Sequence, residues 1–353
     1  EAFNGAVPTG ARCLVSGIDI VRGADGQFLV LEDNLRNPSG VSYVLENRAT
    51  MARVLTGAFE EMAIRSVDHY GRSLLAALKH AAPPAAGDDP VVCVLTPGIY
   101  NSAYFEHAFL ARQMGVELVE GRDLVVDDHI VAMRTTGGLR KVDVIYRRID
   151  DHFLDPAVFD TGSTVGVPGL MAAVRAGTVT VSNAVGNGVA DDKAVYPYVP
   201  AMIDYYLGEE PILPNATTYV LWDNDQRAAA LERVDELVWK PVAESGGYGI
   251  VIGPSATDEE LAGVHTTVEA DPRGWIAQEV VQLSRVPSCI DGGLEGRHVD
   301  LRPFILTGES IEVLPGGLTR VAMRKGSLIV NSSQGGGSKD TWVLEDQATG
   351  AAG

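Results

Sequence analysis

Four groups of residues in this 353-residue chain have types and spacing that could do chemistry. Lys240 ends a strand-like run, and Ser245, Gly246, Gly247, Tyr248 and Gly249 follow five residues later. Glycines let backbone amides approach phosphate oxygens closely, and the lysine adds a point charge. The lysine precedes the glycines, so this is not a Walker loop. An ordinary hairpin turn would read the same way.

Asp19 and the run Glu32-Asp33-Asn34 form the second group. On adjacent strands of one hairpin, with Glu32 and Asn34 on the same face, they make a hard, oxygen-only set suited to Mg²⁺ on substrate phosphates. A solvated hairpin edge is the plainer alternative, and burial of Leu29 and Leu31 on the opposite face fits both. The third group is Asp300-Leu301-Arg302 in one strand and Arg320 at the end of another, then Asn331 and Gly335-Gly336-Gly337. Arginines inside apolar strand patterns need an anionic partner, either a neighbouring carboxylate or a phosphate. The fourth is Asp191-Asp192-Lys193, which reads as a helix start with favourable acids.

These residues need elements to hold them. Residues 11–21 and 27–33 read as strands joined by the turn Gly23-Ala24-Asp25-Gly26, and residues 41–80 read as helices. Residues 81–90, rich in Ala, Pro and Asp, break the pattern. Beyond them come a short apolar strand (91–95), a helix (103–114) and a strand (117–119), a βαβ unit and hence a parallel sheet. Further strands are expected at 130–134, 141–146 and 179–182, after a helix at 170–176. Residues 191–345 mix helices (198–207, 226–236, 258–270) with strands (237–240, 275–281, 299–306, 311–314, 328–331). The fold class is therefore α/β and α+β. Three regions are expected: 1–80, 91–190 and 191–345.

Composition narrows the function. Hydrophobic residues at 46% and charged residues at 21% allow a substantial core and exclude wholesale disorder. A formal net charge of -19 argues against nucleic acid or an anionic membrane as the partner. The three cysteines lie apart at 13, 93 and 289, so neither a disulfide framework nor a zinc site is expected. No apolar run approaches the roughly 18 residues of a membrane span, and a reducing cytoplasm fits this pattern. The chain opens at Glu1 almost directly on a strand-like segment. An N-terminal piece is expected to be absent from it.

Taken together, the four groups resemble the ATP-grasp ligases. That family carries a "DK" helix start, a strand lysine with a glycine-rich loop, an adenine-hinge strand, a D-x-R strand, an Arg, an Asn before glycines, and a final "D…E-x-N" hairpin. The counterparts here are Lys193; Lys240 with Ser245, Gly246, Gly247, Tyr248 and Gly249; Gln278, Glu279, Val280 and Val281; Asp300 with Arg302; Arg320; Asn331; and Asp19, Glu32 and Asn34. The usual last element stands first. Moving residues 1–80 behind residue 345 restores the family's order, so the chain resembles the circularly permuted ATP-grasp proteins, which are similar to glutathionylspermidine synthase. The stretches LTPGIYNSAYFEHAFLARQMGVELVEGRDL, YRRIDDHFLDP and VNSSQGGGSKDTWVLE look typical of them. Members carry more residues before the hairpin, which bears on the acceptor pocket. Some ATP-grasp enzymes also place an arginine two residues before the first metal Asp, where this chain has Gly17; Arg22 or Arg320 are the candidate substitutes.

The resemblance implies an ATP-grasp fold with residues 1–80 as its permuted C-terminal part. Residues 91–190 become a pre-ATP-grasp-like α/β domain, and 191–345 the nucleotide-binding lobes. It implies an ATP- and Mg²⁺-dependent carboxylate–amine ligase working through an acylphosphate. Lys193, Lys240 and the glycine-rich lid would hold phosphates, and Gln278, Glu279, Val280 and Val281 adenine. Asp19, Glu32 and Asn34 would hold Mg²⁺, and Arg302 and Arg320 would act in catalysis. No general base is assigned; His107 and His298 are candidates that are more often structural. Expected partners are small-molecule or peptide carboxylates and amines, with no nucleic acid or membrane, besides partner proteins or further copies of the chain. A non-catalytic ATP-binding subunit or scaffold, and a phosphotransferase that stops at phosphorylation, are the alternatives.

Overall fold

The computed structural model describes residues 10–242, 249–290, 292–328, 330 and 336–345. The chain opens with the hairpin β1 (Val15–Arg22) and β2 (Phe28–Asn34), followed by α1 (Val41–Val54), α2 (Thr56–Glu61) and α3 (Tyr70–His80). Next come β3 (Val92–Leu95), α4 (Tyr104–Met114), β4 (Glu117–Val119), β5 (Leu124–Asp127), β6 (Ile130–Thr135), β7 (Gly138–Lys141), β8 (Val144–Arg147), α5 (Asp151–Leu154), α6 (Leu170–Ala176) and β9 (Thr180–Ser182). The remainder runs α7 (Val199–Leu207), β10 (Thr218–Val220), α8 (Asn224–Leu231), β11 (Leu237–Pro241), β12 (Val251–Ile252), α9 (Asp258–Ala270), β13 (Trp275–Glu279), β14 (Arg285–Ile290) and β15 (Gly293–Arg302). It closes with β16 (Phe304–Thr307), β17 (Ile311–Val313), β18 (Leu318–Val321) and β19 (Gly337–Asp340).

The turn at 23–26 closes the first hairpin as its glycines require: Gly26 has φ +88, a left-handed conformation that costs glycine nothing. The hairpin does not stand alone. Strand β1 lies inside an antiparallel sheet of order β17-β16-β1-β15-β18-β19, with β2 and β14 pairing at its side. The first and last thirds of the chain therefore build one sheet. The expected single strand at 299–306 is two strands, β15 and β16, because Pro303 lacks an amide hydrogen and interrupts the ladder. The expected strand at 328–331 falls largely outside the described residues.

The parallel sheet has the order β4-β3-β8-β9. From β3 the chain moves to β4 on one side and later to β8 and β9 on the other. The crossover helices accordingly cover opposite faces. Phe109, Leu110 and Met114 of α4 pack with Val92, Val94 and Val144, and Leu170, Met171 and Ala173 of α6 pack with Cys93, Leu95 and Ile145. All four residues of β3 and of β8 are buried, as a sheet covered on both faces demands. The α4-side core is continuous with Leu14, Val44, Tyr70, Leu74, Leu78, Phe304 and Leu318. One core thus joins the first helices, the antiparallel sheet and the parallel sheet. A third core, around Trp239, Leu237, Leu221 and Val268, backs the sheet β10-β13-β11-β12.

Candidate nucleotide and phosphoryl-transfer site

The hairpin carries its polar residues in register. Asp19 stands opposite Glu32 and Gly17 opposite Asn34, so all four positions share one face of the ribbon. A bulge follows, because Ile20 pairs with Val30 and leaves Leu31 over. Bulges re-aim neighbouring side chains. The expected burial of Leu29 and Leu31 is only partial: both are half-buried, and Leu31 lines a cleft.

Sheet pairing brings the third sequence group onto the same face. Asp300 pairs with Arg320 across β15 and β18, while Ile20 pairs with Leu301, which sets Arg302 beside Asp19. Arg302 donates Nε to Asp19 Oδ1 at 2.5 Å and Nη2 to Oδ2 at 2.8 Å. Arg320 Nη2 donates to Asp19 Oδ2 at 2.6 Å and to Asp300 Oδ2 at 2.5 Å, and its Nε to Asp300 Oδ1 at 2.9 Å. Two buried carboxylates and two guanidiniums thus neutralise one another. Burial pushes the Asp19 pKa up, but the two guanidiniums outweigh it and hold the group at about 2. Burial dominates at Asp300 and raises it to about 6 despite Arg320. Gly17 has a reason here: a Cβ on it would come within 3.1 Å of Arg302 Cδ. The space that an arginine at position 17 would need holds the stem of Arg302, so Arg302 and Arg320 supply the charge on Asp19. Arg22 instead donates to the Gly26 carbonyl in its own turn.

The phosphate-binding candidates meet on the neighbouring side. Lys193, Lys240, Glu32, Asp33, Asp191 and Gln278 are among the residues that line one cleft. Lys193 Nζ lies 2.9 Å from Glu32 Oε1, and Lys240 Nζ donates to Gln278 Oε1 at 2.6 Å. Burial, assisted by the charge of Lys193, lowers Lys240 to about 8 against the pull of Glu32 and Asp19. Lys193 does not open a helix as expected. Asp192 Oδ1 accepts from the Ala194 amide and makes a turn there, and α7 begins only at Val199.

The adenine-hinge candidates divide. Gln278 is buried in β13 and faces the cleft. Glu279 ends β13, where Arg233 grips it through two bonds of 2.7 and 3.1 Å and the Tyr219 hydroxyl donates to it at 2.7 Å. Val280 and Val281 lie just past the strand end and are half-buried. Of the glycine-rich candidates, Gly249 has φ +71 and packs near Pro241. Ser245, Gly246, Gly247 and Tyr248, and also Asn331, lie outside the described residues.

The donor set has the chemistry to hold Mg²⁺. Among the described residues no three His, Cys, Asp or Glu side chains form a metal cage. Mg²⁺ on a nucleotide needs only one or two carboxylates, because the phosphates complete its shell. Acids outnumber lysines around the cleft. Burial, then Glu32, Asp19 and Asp191, raises Asp33 to about 6. The side-chain nitrogen assigned to Asn34 is buried without a partner. Which end of that amide is oxygen is set by the bonding network.

Several structural partnerships are not legible in the motifs, including that of Asp191, which stands in the fourth group. Asn183 Nδ2 donates to the Val15 and Leu35 carbonyls at 2.7 Å each, and its Oδ1 accepts from Val15 N at 2.9 Å, so it holds both hairpin strands. Asp191 Oδ1 accepts from the Leu35 and Arg36 amides. Glu106 and Arg148 form a buried ion pair at 3.3 Å. An Asp or Arg in an otherwise apolar stretch was the available signal, but it names no partner. His107 hydrogen-bonds Thr96 at 2.8 Å, and burial with nearby Arg148 lowers it to about 3, so it is a neutral structural imidazole. His298 Nδ1 lies 3.4 Å from the Ser284 carbonyl oxygen.

Comparison with known proteins places the chain in a family. A protein of Mycobacterium tuberculosis without a described function is 60% identical over 346 residues, which cover 98% of this chain and 63% of that protein. A Frankia casuarinae protein with a provisional glutamate–cysteine ligase name is 50% identical over 337 residues, covering 95% of this chain and 39% of that protein. The chain thus spans under two thirds of the length of these relatives. A glutathione synthetase-like effector from Globodera pallida has the same fold at 12% identity, with a TM-score of 0.57 over 94% of this chain and 77% of the other. Residues 1–322 match the family described as circularly permuted ATP-grasp type 2, and with the hairpin heading the chain and its sheet closed by β15 to β19, the protein belongs to that family.

Proposed function

We propose that the protein is an ATP- and Mg²⁺-dependent carboxylate–amine ligase that forms an amide through an acylphosphate. The observation that carries this reading is the convergence of Lys193, Lys240, Glu32 and Gln278 on one cleft, beside the Asp19–Arg302–Arg320 cluster. Phosphoryl transfer to a carboxylate sets negative charge against negative charge, so positioning and electrostatics are the catalytic problem. Lys193 and Lys240 neutralise the phosphates of the nucleotide, and Gln278, with the end of β13, orients the adenine. Asp19, Glu32 and Asn34 would hold Mg²⁺, which would draw charge from the phosphates when bound. A carboxylate oxygen attacks the γ-phosphorus, the bond to the bridging oxygen breaks, and ADP leaves. A neutral amine nitrogen then attacks the acyl carbon, phosphate departs with the bonding pair, and the nitrogen's proton passes to the departing phosphate. Arg302 and Arg320 stabilise the transferring phosphoryl group and the later oxyanion. They do so by giving up part of their hold on Asp19.

That last requirement favours one rival. Both arginines are spent on Asp19 here, as they would be in an ATP-binding subunit that turns nothing over. Incubation with ATP, Mg²⁺ and pooled carboxylates and amines separates the readings. Phosphate release that needs both pools and stops on Mg²⁺ chelation supports the ligase. Release with carboxylates alone indicates a kinase. ATP binding without any release indicates a binding subunit.

A further inference from the structure

The two halves of the cleft belong to different sheets. Glu32 stands on β2, which pairs with β1 at the side of the antiparallel sheet, while Lys240 and Gln278 stand on β11 and β13. Phosphoryl transfer needs such groups held in one geometry. An isolated bridge between Val30 and Asn215 joins the two sheets where residues 214–216 lead into β10. Val30 N donates to the Pro214 carbonyl at 2.9 Å, and Ala216 N to the Val30 carbonyl at 3.2 Å.

Tyr196 sits in this join. Its side chain is buried and lines the cleft. Its hydroxyl donates to the Val30 carbonyl at 2.6 Å and accepts from the Ala216 amide at 2.7 Å. That carbonyl belongs to the peptide that enters the bulge, since Glu32 pairs with Asp19 but Val30 with Ile20. Beyond Ala216 the bonds run on. Thr218 Oγ1 donates to the Ala216 carbonyl at 2.9 Å and accepts from Gln278 Nε2 at 3.0 Å, and Gln278 Oε1 accepts from Lys240 Nζ at 2.6 Å. A run of hydrogen bonds through Ala216 and Thr218 thus leads from the bulge beside Glu32 to Lys240. Burial, which outweighs the Ala216 amide, pushes the phenol pKa up, so the hydroxyl keeps the proton that it donates to Val30.

We infer that Tyr196 is a positioning residue, whose hydroxyl fixes the bulge of the hairpin, and with it Glu32, against the sheet that carries Lys240 and Gln278. This rests on the ligase reading above, in which Glu32 faces the metal and Lys240 the phosphates. Without the hydroxyl the Ala216–Val30 bond remains, but the bulge is free to shift, and a bulge re-aims the side chains next to it. The phosphate lysines keep their own contacts. The loss therefore falls on the coupling between metal and nucleotide.

The test is the affinity for a non-hydrolysable ATP analogue, measured by calorimetry with Mg²⁺ and with a chelator. In the parent, Mg²⁺ is expected to tighten binding. Tyr196→Phe should keep the metal-free affinity within about twofold and reduce the tightening by about fivefold or more. Thr96→Val is the control: it deletes another buried hydroxyl, bonded to His107 at 2.8 Å and to Gly98 N at 3.1 Å, far along the chain from the bulge. It should lower the melting temperature and leave the tightening within about twofold. An unchanged tightening in Tyr196→Phe, or an equal reduction in Thr96→Val, overturns the inference and leaves the hydroxyl a purely structural bond. If Tyr196→Phe does not fold, Thr218→Val cuts the same run one step on and decides: a reduced tightening supports the inference and an unchanged one overturns it. A parent that does not bind the analogue, or binds it without any effect of Mg²⁺, overturns the ligase reading, and this inference with it.

Discussion

Lys240 holds a charge where burial resists one, and this makes it the most informative single residue. Replacing it with alanine removes a charge-assisted contact worth about 1.5–3 kcal/mol, roughly a ten- to hundredfold loss in ATP affinity. The melting temperature should hold, because the lost partner, Gln278, is uncharged and keeps a donor bond to the Thr218 hydroxyl. Calorimetric titration with unchanged nucleotide affinity would sink the assignment. The pH response gives a second check. Burial lowers the folded pKa to about 8 from 10.5, so above pH 8 the folded protein sheds a proton that the unfolded chain keeps. The contribution of Lys240 to stability therefore rises between pH 8 and 10.5, while ATP affinity falls as its charge is lost. Melting and binding curves of the parent against Lys240→Met should show these opposite trends. Parallel curves over that window would contradict them. At this scale the residue types were legible: Asp19, Glu32, Lys240, Arg302 and Arg320 announce anion and metal chemistry by type and spacing. Their pairing was not, because Arg302 lies 283 positions from the Asp19 it grips.

Helix α1 shows what an element borrows from elsewhere. Gly40 before it takes φ +109 and offers no side chain to cap the first amides. Glu106 of α4 does so instead, accepting from Gly40 N at 2.7 Å, Ser42 N at 3.0 Å and Ser42 Oγ at 2.8 Å, while its other oxygen pairs with Arg148. Glu106→Ala would strand a buried guanidinium and uncap the helix, at a cost of about 3–5 kcal/mol. Urea unfolding should show it; a loss below about 1 kcal/mol would mean that water replaces the carboxylate. Periodicity located most elements: the helix at 258–270 and the turn at 23–26 appear where expected. It placed α7 at 198–207, where it forms, but failed at Pro303, and the motif reading of Asp191-Asp192-Lys193 as a helix start failed at the Asp192 turn. Neither event alters a hydrophobic period.

For the molecule as a whole, the hairpin's anchorage matters most. Asn183 ties the start of β1 and the exit of β2 to the end of the parallel sheet through three hydrogen bonds. Asn183→Ala should cost about 2–4 kcal/mol, from three bonds near 1 kcal/mol each and the polar groups left unpaired. A denaturation midpoint within error of the parent would show that the core around Leu14 and Phe304 suffices alone. The sequence by itself determined the chemistry available and the family, because motif order along a chain is a one-dimensional property that permutation leaves readable. The α/β and α+β character followed from hydrophobic period in the same way. Only the tertiary structure decided that residues 14–81 share a core with both sheets, that two arginines close on Asp19, and that the exit of the hairpin meets the winding reversal at β8. The last two are contacts across 110 to 301 positions. Local propensity carries no information about them, since they exist only once the strands have paired and the cores have closed.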